Sequence, residues 1–195
     1  MELLKKTVSF EEEKKQDNSD KKILLPKDRH PHSAGFYKEQ WSFIAYRPAR
    51  ENIAYHLQYL EYMAHLYNDY QMYLTIESLH CKNMLITIAG IMESALYDLL
   101  FQLPNRKGGS GFEENENFIY LIDSGFKNGL LDGNMKNALH ELRKVRNFVH
   151  ISSLEHQEFK AYTIEQVNRY LILLDGFRDR ISKKQRTLLG PEIKF

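Results

Sequence analysis

The chain predicts an all-α fold: an antiparallel helical bundle of four to five helices with an N-terminal extension. Three observations carry that expectation. Long stretches between Glu51 and Ile181 repeat apolar residues at three- and four-residue spacing. No pair of alternating segments suggests neighbouring strands, and no internal repeat points to a solenoid.

The elements follow in order. Residues 1–34 mix Lys, Glu, Asp, Ser and Gln, with Pro26 and Pro31 late in the run. They read as a flexible charged arm, because too little apolar surface is present to offset the entropy of ordering. The helical domain takes residues 35–195. Between Phe36 and Tyr46 the aromatics Phe36, Tyr37, Trp41, Phe43 and Tyr46 crowd together, as a short helix or an extended strap, and Pro48 ends the piece. A helix from Glu51 to about Leu74 places Ile53, Leu57, Leu60, Tyr67 and Tyr70 at helical spacing. Ser78 to Leu103 is a second long helix, apolar nearly all round and so expected against several neighbours. Pro104 closes it, and the segment from Asn105 to Gly111 is a loop. A shorter helix runs from about Asn115 to Phe126, ending around Gly129. Asp132-Gly133-Asn134 introduces the next, over Met135 to Ile151. After a connection to Tyr162, Thr163 caps a last helix through about Ile181.

With 195 residues, 43% hydrophobic and 27% charged, the chain has the balance of a globular domain. A net charge of +1 means that polyanion binding needs a local patch rather than a global field. The single cysteine, Cys81, rules out an intramolecular disulfide framework and fits a reducing, cytoplasmic setting. The charged N-terminus is no signal peptide. The most apolar window, Met84 to Leu103, contains Glu93 and Asp98, so a buried helix is expected rather than a membrane span.

The most informative nine residues are Leu142-Arg143-Lys144-Val145-Arg146-Asn147-Phe148-Val149-His150. At roughly 100° per residue, Arg143, Arg146, Asn147 and His150 fall within an arc of about 100°. Ala138, Leu142, Val145 and Val149 gather on the neighbouring face as a core stripe. Guanidinium groups match phosphate oxygens, and an imidazole moves protons near neutral pH. Phosphodiester chemistry without a metal needs that combination. The spacing alone also describes a solvated basic face near a helix C-terminus, where cations are favoured by the dipole.

Other constellations are weaker. His30 and His32 flank Pro31 without carboxylate or thiolate companions, and His140 and His156 have no metal-spaced partners, so neither a metal nor a cofactor is expected. His80-Cys81 at a helix start reads as structural. Gly108, Gly109 and Gly111 lack the Lys-Ser/Thr of a phosphate-binding loop. Ser152 and Ser153 near His150 have no orienting third group. The tyrosines from Tyr55 to Tyr73, with Met63 and Met72, offer stacking faces for bases, though core packing or a dimer contact explains such a stripe more often.

From about Leu79 to Ser182 the chain resembles the HEPN superfamily of small helical domains. The resemblance rests on IAGIMESALYDLL, on IYLIDSGFKNGLLDG and on LHELRKVRNFVH followed by a closing amphipathic helix. Members carry an arginine and, four to six residues on, a histidine. Arg143 and His150 enclose six residues, whereas the Arg146-Asn147 pair leaves only two before His150, so the arginine that plays the family's part stays open. The resemblance implies a metal-independent endoribonuclease, active as a homodimer whose two motifs share one cleft, in a toxin–antitoxin or defence setting with an antitoxin or regulatory partner. It implies catalytic roles for Arg143, Arg146, Asn147 and His150, with RNA as substrate and no cofactor. Glu93, on the preceding long helix, would orient an arginine across the bundle. The alternative is a non-catalytic HEPN-like dimerisation module, or one binding a nucleotide or phosphate on the same ridge.

Overall fold

The computed structural model describes residues 29–103, 117–147 and 162–188, the side chains of the last stretch through 184. The chain divides into two compact units, 1–30 and 31–195, and every described helix belongs to the second. The described residues are all-helical, without a strand: α1 (Ala34–Gln40), α2 (Arg47–Asp69), α3 (Leu74–Gln102), α4 (Phe118–Lys127), α5 (Gly133–Asn147) and α6 (Ile164–Leu188). The first 28 residues of the charged arm expected over 1–34, the whole of the expected loop 105–111, and the connection expected over 151–162 up to residue 161 lie outside the described residues.

The aromatic cluster resolves into a helix followed by a buried strap. Ser33 accepts a hydrogen bond from the Phe36 amide at 3.3 Å and so caps α1. Beyond the helix, Trp41, Phe43 and Ile44 sit in the core at 0–2% exposure. Trp41 packs on Phe43 and Phe177 with centroids 5.3 and 6.4 Å away. Pro48, expected to end this piece, stands instead in the first turn of α2, where its missing N–H costs nothing.

α2 starts without a local cap: Tyr46 occupies the cap position and makes no side-chain cap bond. Asp98 of α3, 4% exposed, does the work from across the core. Its carboxylate accepts the Ala45 amide at 2.9 Å and the Tyr46 amide at 2.8 Å. Gln102 donates to the same carboxylate and to the Phe43 carbonyl, the latter at 3.0 Å. A buried acid is stable here because two backbone amides need an acceptor.

α2 ends at Asp69 and α3 begins at Leu74, so the break lies earlier than the residue pattern suggests. Tyr70, expected on the apolar face, is the 61%-exposed C-cap. Leu74 enters α3 with φ of 47°, the one positive-φ residue other than glycine among those described.

α3 is the central helix. It packs against α2, α4, α5 and α6. Its length and composition would suffice to cross a membrane, yet 61% of its most apolar window is buried inside the protein. Gly125 of α4 lets that helix approach closely, since a Cβ there would stand 3.0 Å from Leu96 Cδ2. The turn into α5 closes with Leu130 and Leu131 amides on the Gly125 carbonyl, at 2.9 and 3.2 Å, and with Gly129 at φ 75°. Arg180 of α6 donates to the carbonyls of Leu130 and Gly129, fixing this turn to the last helix. Asp132 caps α5 through the Met135 amide at 2.9 Å. Thr163 and Gln166 form a reciprocal cap on α6, at 3.0 and 3.4 Å.

Candidate functional site

The site grows from the way α5 is seated. Leu139 and Leu142 are fully buried, while Ala138 and Val145 are only partly so. The buried direction therefore centres on Leu139, a residue absent from the expected stripe, and Val149 lies outside the described residues. Seven residues after Leu139, Arg146 points nearly the same way, one turn beyond the packed end of the helix. It thereby faces α3 rather than bulk solvent.

There it meets Glu93: Arg146 Nη2 lies 2.9 Å from Glu93 Oε2. Arg146 is 43% exposed and Glu93 23%. Burial raises the Glu93 carboxyl above its ordinary range, and the attraction of Arg146 only partly offsets that. A desolvated carboxylate holding a guanidinium fixes the direction of the fork while leaving its remaining N–H groups available. Arg143, three residues earlier on the same ridge, has its Nε buried without a hydrogen-bond partner among the described residues. A buried guanidinium N–H in that state is a donor looking for an acceptor. Asn147 is exposed at the last position of α5. Arg143, Arg146 and Asn147 thus share one helix end, and Glu93 joins them from α3. His150 lies outside the described residues.

Glu93 and Arg146 line a cavity of about 390 Å³ between α2, α3 and the end of α5. Asn52 and His56 of α2 form its other side, and Ile86, Thr87, Gly90 and Ser94 add to the α3 wall. A Cβ at Gly90 would meet nothing within 4 Å, so the floor is open there. His56 Nδ1 lies 2.8 Å from the Asn52 carbonyl, which has only lone pairs to offer, so Nδ1 carries a proton and Nε2 is the free edge. Sequence reasoning missed His56. The available signal was the Asn52–His56 pair, four residues apart on the exposed side of an amphipathic helix.

The remaining polar groups have structural duties. His80 donates from Nε2 to the Met63 carbonyl at 2.8 Å. Cys81 is fully buried, and burial pushes its thiol up to about 11. His140 and Lys136 both lie against the exposed Asp123, at 3.3 and 2.8 Å. His32 and Tyr37 converge on Glu61: the His32 amide donates at 2.6 Å and the Tyr37 hydroxyl at 2.7 Å. Burial pulls the Glu61 carboxyl up, but those hydrogen bonds outweigh it and hold the group below its usual range. No three His, Cys, Asp or Glu side chains gather as metal ligands among the described residues. The stripe divides: Tyr55, Tyr59, Tyr70 and Tyr73 are more than half exposed, whereas Met63 is in the core and Tyr67 packs against it.

Comparisons with family models, with curated proteins and with solved structures give no match to the chain.

Proposed function

We propose that this protein is a metal-independent endoribonuclease of HEPN type, cytoplasmic and homodimeric, with α2 to α6 as its antiparallel bundle and a toxin or defence role under an antitoxin-like partner. One observation carries the reading: the Arg146 guanidinium, held by Glu93 in the wall of a cavity, on the ridge that also bears Arg143 and Asn147. His150 follows three residues after Asn147 in the chain.

The chemistry follows from those groups. A ribose 2′-hydroxyl attacks its own phosphorus, which selects RNA over DNA without further recognition. The extra negative charge of the phosphorane-like transition state falls to Arg146, with Arg143 as second clamp. Asn147 hydrogen-bonds a phosphate oxygen. His150 exchanges a proton with one of the reacting oxygens, a contribution of typically 10²–10⁴-fold. Glu93 touches no reacting atom and aims Arg146.

The test is direct. Purified protein incubated with single-stranded RNA and EDTA should leave 2′,3′-cyclic phosphate ends, and His150→Ala should abolish the cutting. Arg143→Ala and Arg146→Ala, assayed separately, identify the clamp; full rate in both removes it from the mechanism. A second reading, a non-catalytic dimerisation or phosphate-binding module, is favoured by one feature: Glu93 neutralises Arg146 and lowers the net positive charge of the ridge. Saturable nucleotide binding without cleavage selects that reading.

A further inference from the structure

Cutting RNA through its 2′-hydroxyl takes two proton transfers, of which the nuclease reading assigns one to His150. On the strength of the nuclease reading, we infer that His56 is the second proton-transfer group, giving its Nε2 proton to the 5′-oxygen that leaves. His56 projects from α2 into the cavity whose opposite wall carries Glu93 from α3 and Arg146 from α5, the titratable groups that face it. No other titratable residue of α2 lines that cavity. Among these three the division of labour follows from their chemistry. Glu93 is an acceptor. Arg146 carries donors only and offers no lone pair to accept a proton. Of the described lining side chains, the imidazole is the one that can hand over a proton from one ring nitrogen and take one back there.

The Asn52 carbonyl decides which nitrogen does so. It accepts from Nδ1–H at 2.8 Å, which leaves Nε2 as the nitrogen through which a proton is exchanged. The ring is exposed and recharges from solvent after each turnover. In the step itself the O2′–P bond forms as the P–O5′ bond breaks. The 2′-hydroxyl proton passes to the base, His150, and the imidazolium Nε2 proton goes to O5′. The products are a 2′,3′-cyclic phosphate and a 5′-hydroxyl, with no oxidant or reductant required. Tyr59, three residues along the same helix and 52% exposed, and Tyr55, 51% exposed, present faces on which unpaired bases stack. That makes single-stranded RNA the substrate class.

The experiment compares wild type with His56→Gln on two substrates in EDTA across pH 5 to 9. One is a single-stranded oligoribonucleotide; the other is uridine 3′-(p-nitrophenyl phosphate), whose aryl oxide departs without a proton. His56→Gln should cut the oligoribonucleotide about 10²–10³-fold more slowly. It should also lose the alkaline fall in rate, and should stay within about tenfold of wild type on the aryl ester. Because the ring is exposed, its thermal melt should match wild type, and His56→Ala should repeat the result. A His56→Gln enzyme within threefold of wild type on RNA, with an unchanged pH profile, overturns the inference and leaves the nuclease reading standing. Equal loss on both substrates also overturns it, since a general acid is spared by a good leaving group. A wild type that leaves both substrates intact overturns the two together.

Discussion

Replacing Arg146 by glutamine removes the cation from a carboxylate that the fold has partly dried. Glu93 is 23% exposed, and its pKa already stands above the usual range because burial outweighs the attraction of Arg146. Without Arg146 only the burial remains, and the pKa climbs further. A carboxyl whose folded pKa exceeds its unfolded value of about 4.3 binds more protons folded than unfolded between the two. Stability is therefore lost as pH rises through that window. The variant should match wild type near pH 4 and fall behind it at pH 7. Arg146 is 43% exposed, so solvent screens the pair and the deficit at pH 7 is held to about 1 kcal/mol. For a chain of this size that is roughly 2–4 °C in Tm. Glu93→Gln has the opposite logic: it deletes a partly buried charge and strands only a half-exposed guanidinium. Its cost should stay below about 0.5 kcal/mol. Thermal unfolding of wild type, both single variants and the double variant at pH 4 and pH 7 gives the complete cycle. An Arg146→Gln deficit as large at pH 4 as at pH 7 would refute the reasoning, as would a Glu93→Gln penalty above about 2 kcal/mol. A folded Glu93→Gln protein that cuts RNA slowly then separates aiming the guanidinium from holding the fold.

Two further outcomes concern the scaffold. Asp98→Ala should cost about 3–5 kcal/mol, because it strands the Ala45 and Tyr46 amides that the carboxylate accepts, each such bond being worth about 1.5–3 kcal/mol. Differential scanning fluorimetry should show a Tm lowered by roughly 6–20 °C, and a change under 2 °C would show that α2 has another cap. Gly129→Ala should cost about 1–2 kcal/mol in denaturant titration, entirely from placing an L side chain at φ 75°, since its Cβ would contact nothing within 4 Å.

The caps show what was legible in the residues and what was not. α4, α5 and α6 open on Asn117, Asp132 and Thr163, whose side chains accept amides three residues on. A cap of that kind is a local pattern, and Asp132 and Thr163 were readable from neighbours alone. α2 and α3 open on Tyr46 and Tyr73, which cap nothing with their side chains. α2 instead borrows Asp98 from 52 residues away. No window of sequence contains both partners, so Pro48 read as a stop when it stands in a first turn. The break at Tyr70–Tyr73 has the same character: it contains neither glycine nor proline, and Leu74 with its positive φ gives no warning by residue type.

The same division runs through the site. That Arg143, Arg146 and Asn147 share a ridge follows from 100° per residue, and the structure keeps them on one described helix. Their direction does not follow from it. A stripe centred on Ala138 and Val145 leaves Arg146 toward solvent, whereas burial of Leu139 turns it onto α3. That rotation, a few tens of degrees, is set by which leucine the neighbouring helices accept. It decides whether the guanidinium meets water or Glu93. It also brings Arg146 to the cavity that His56 enters from α2, so side chains of three helices meet in a single opening. Chemistry divided in that way leaves no contiguous motif, and His56 in particular gains its meaning only from what stands opposite. If proton transfer does run through Nε2 of His56, the motif on α5 is half of the active centre, and the packing of α2 on α3 supplies the rest.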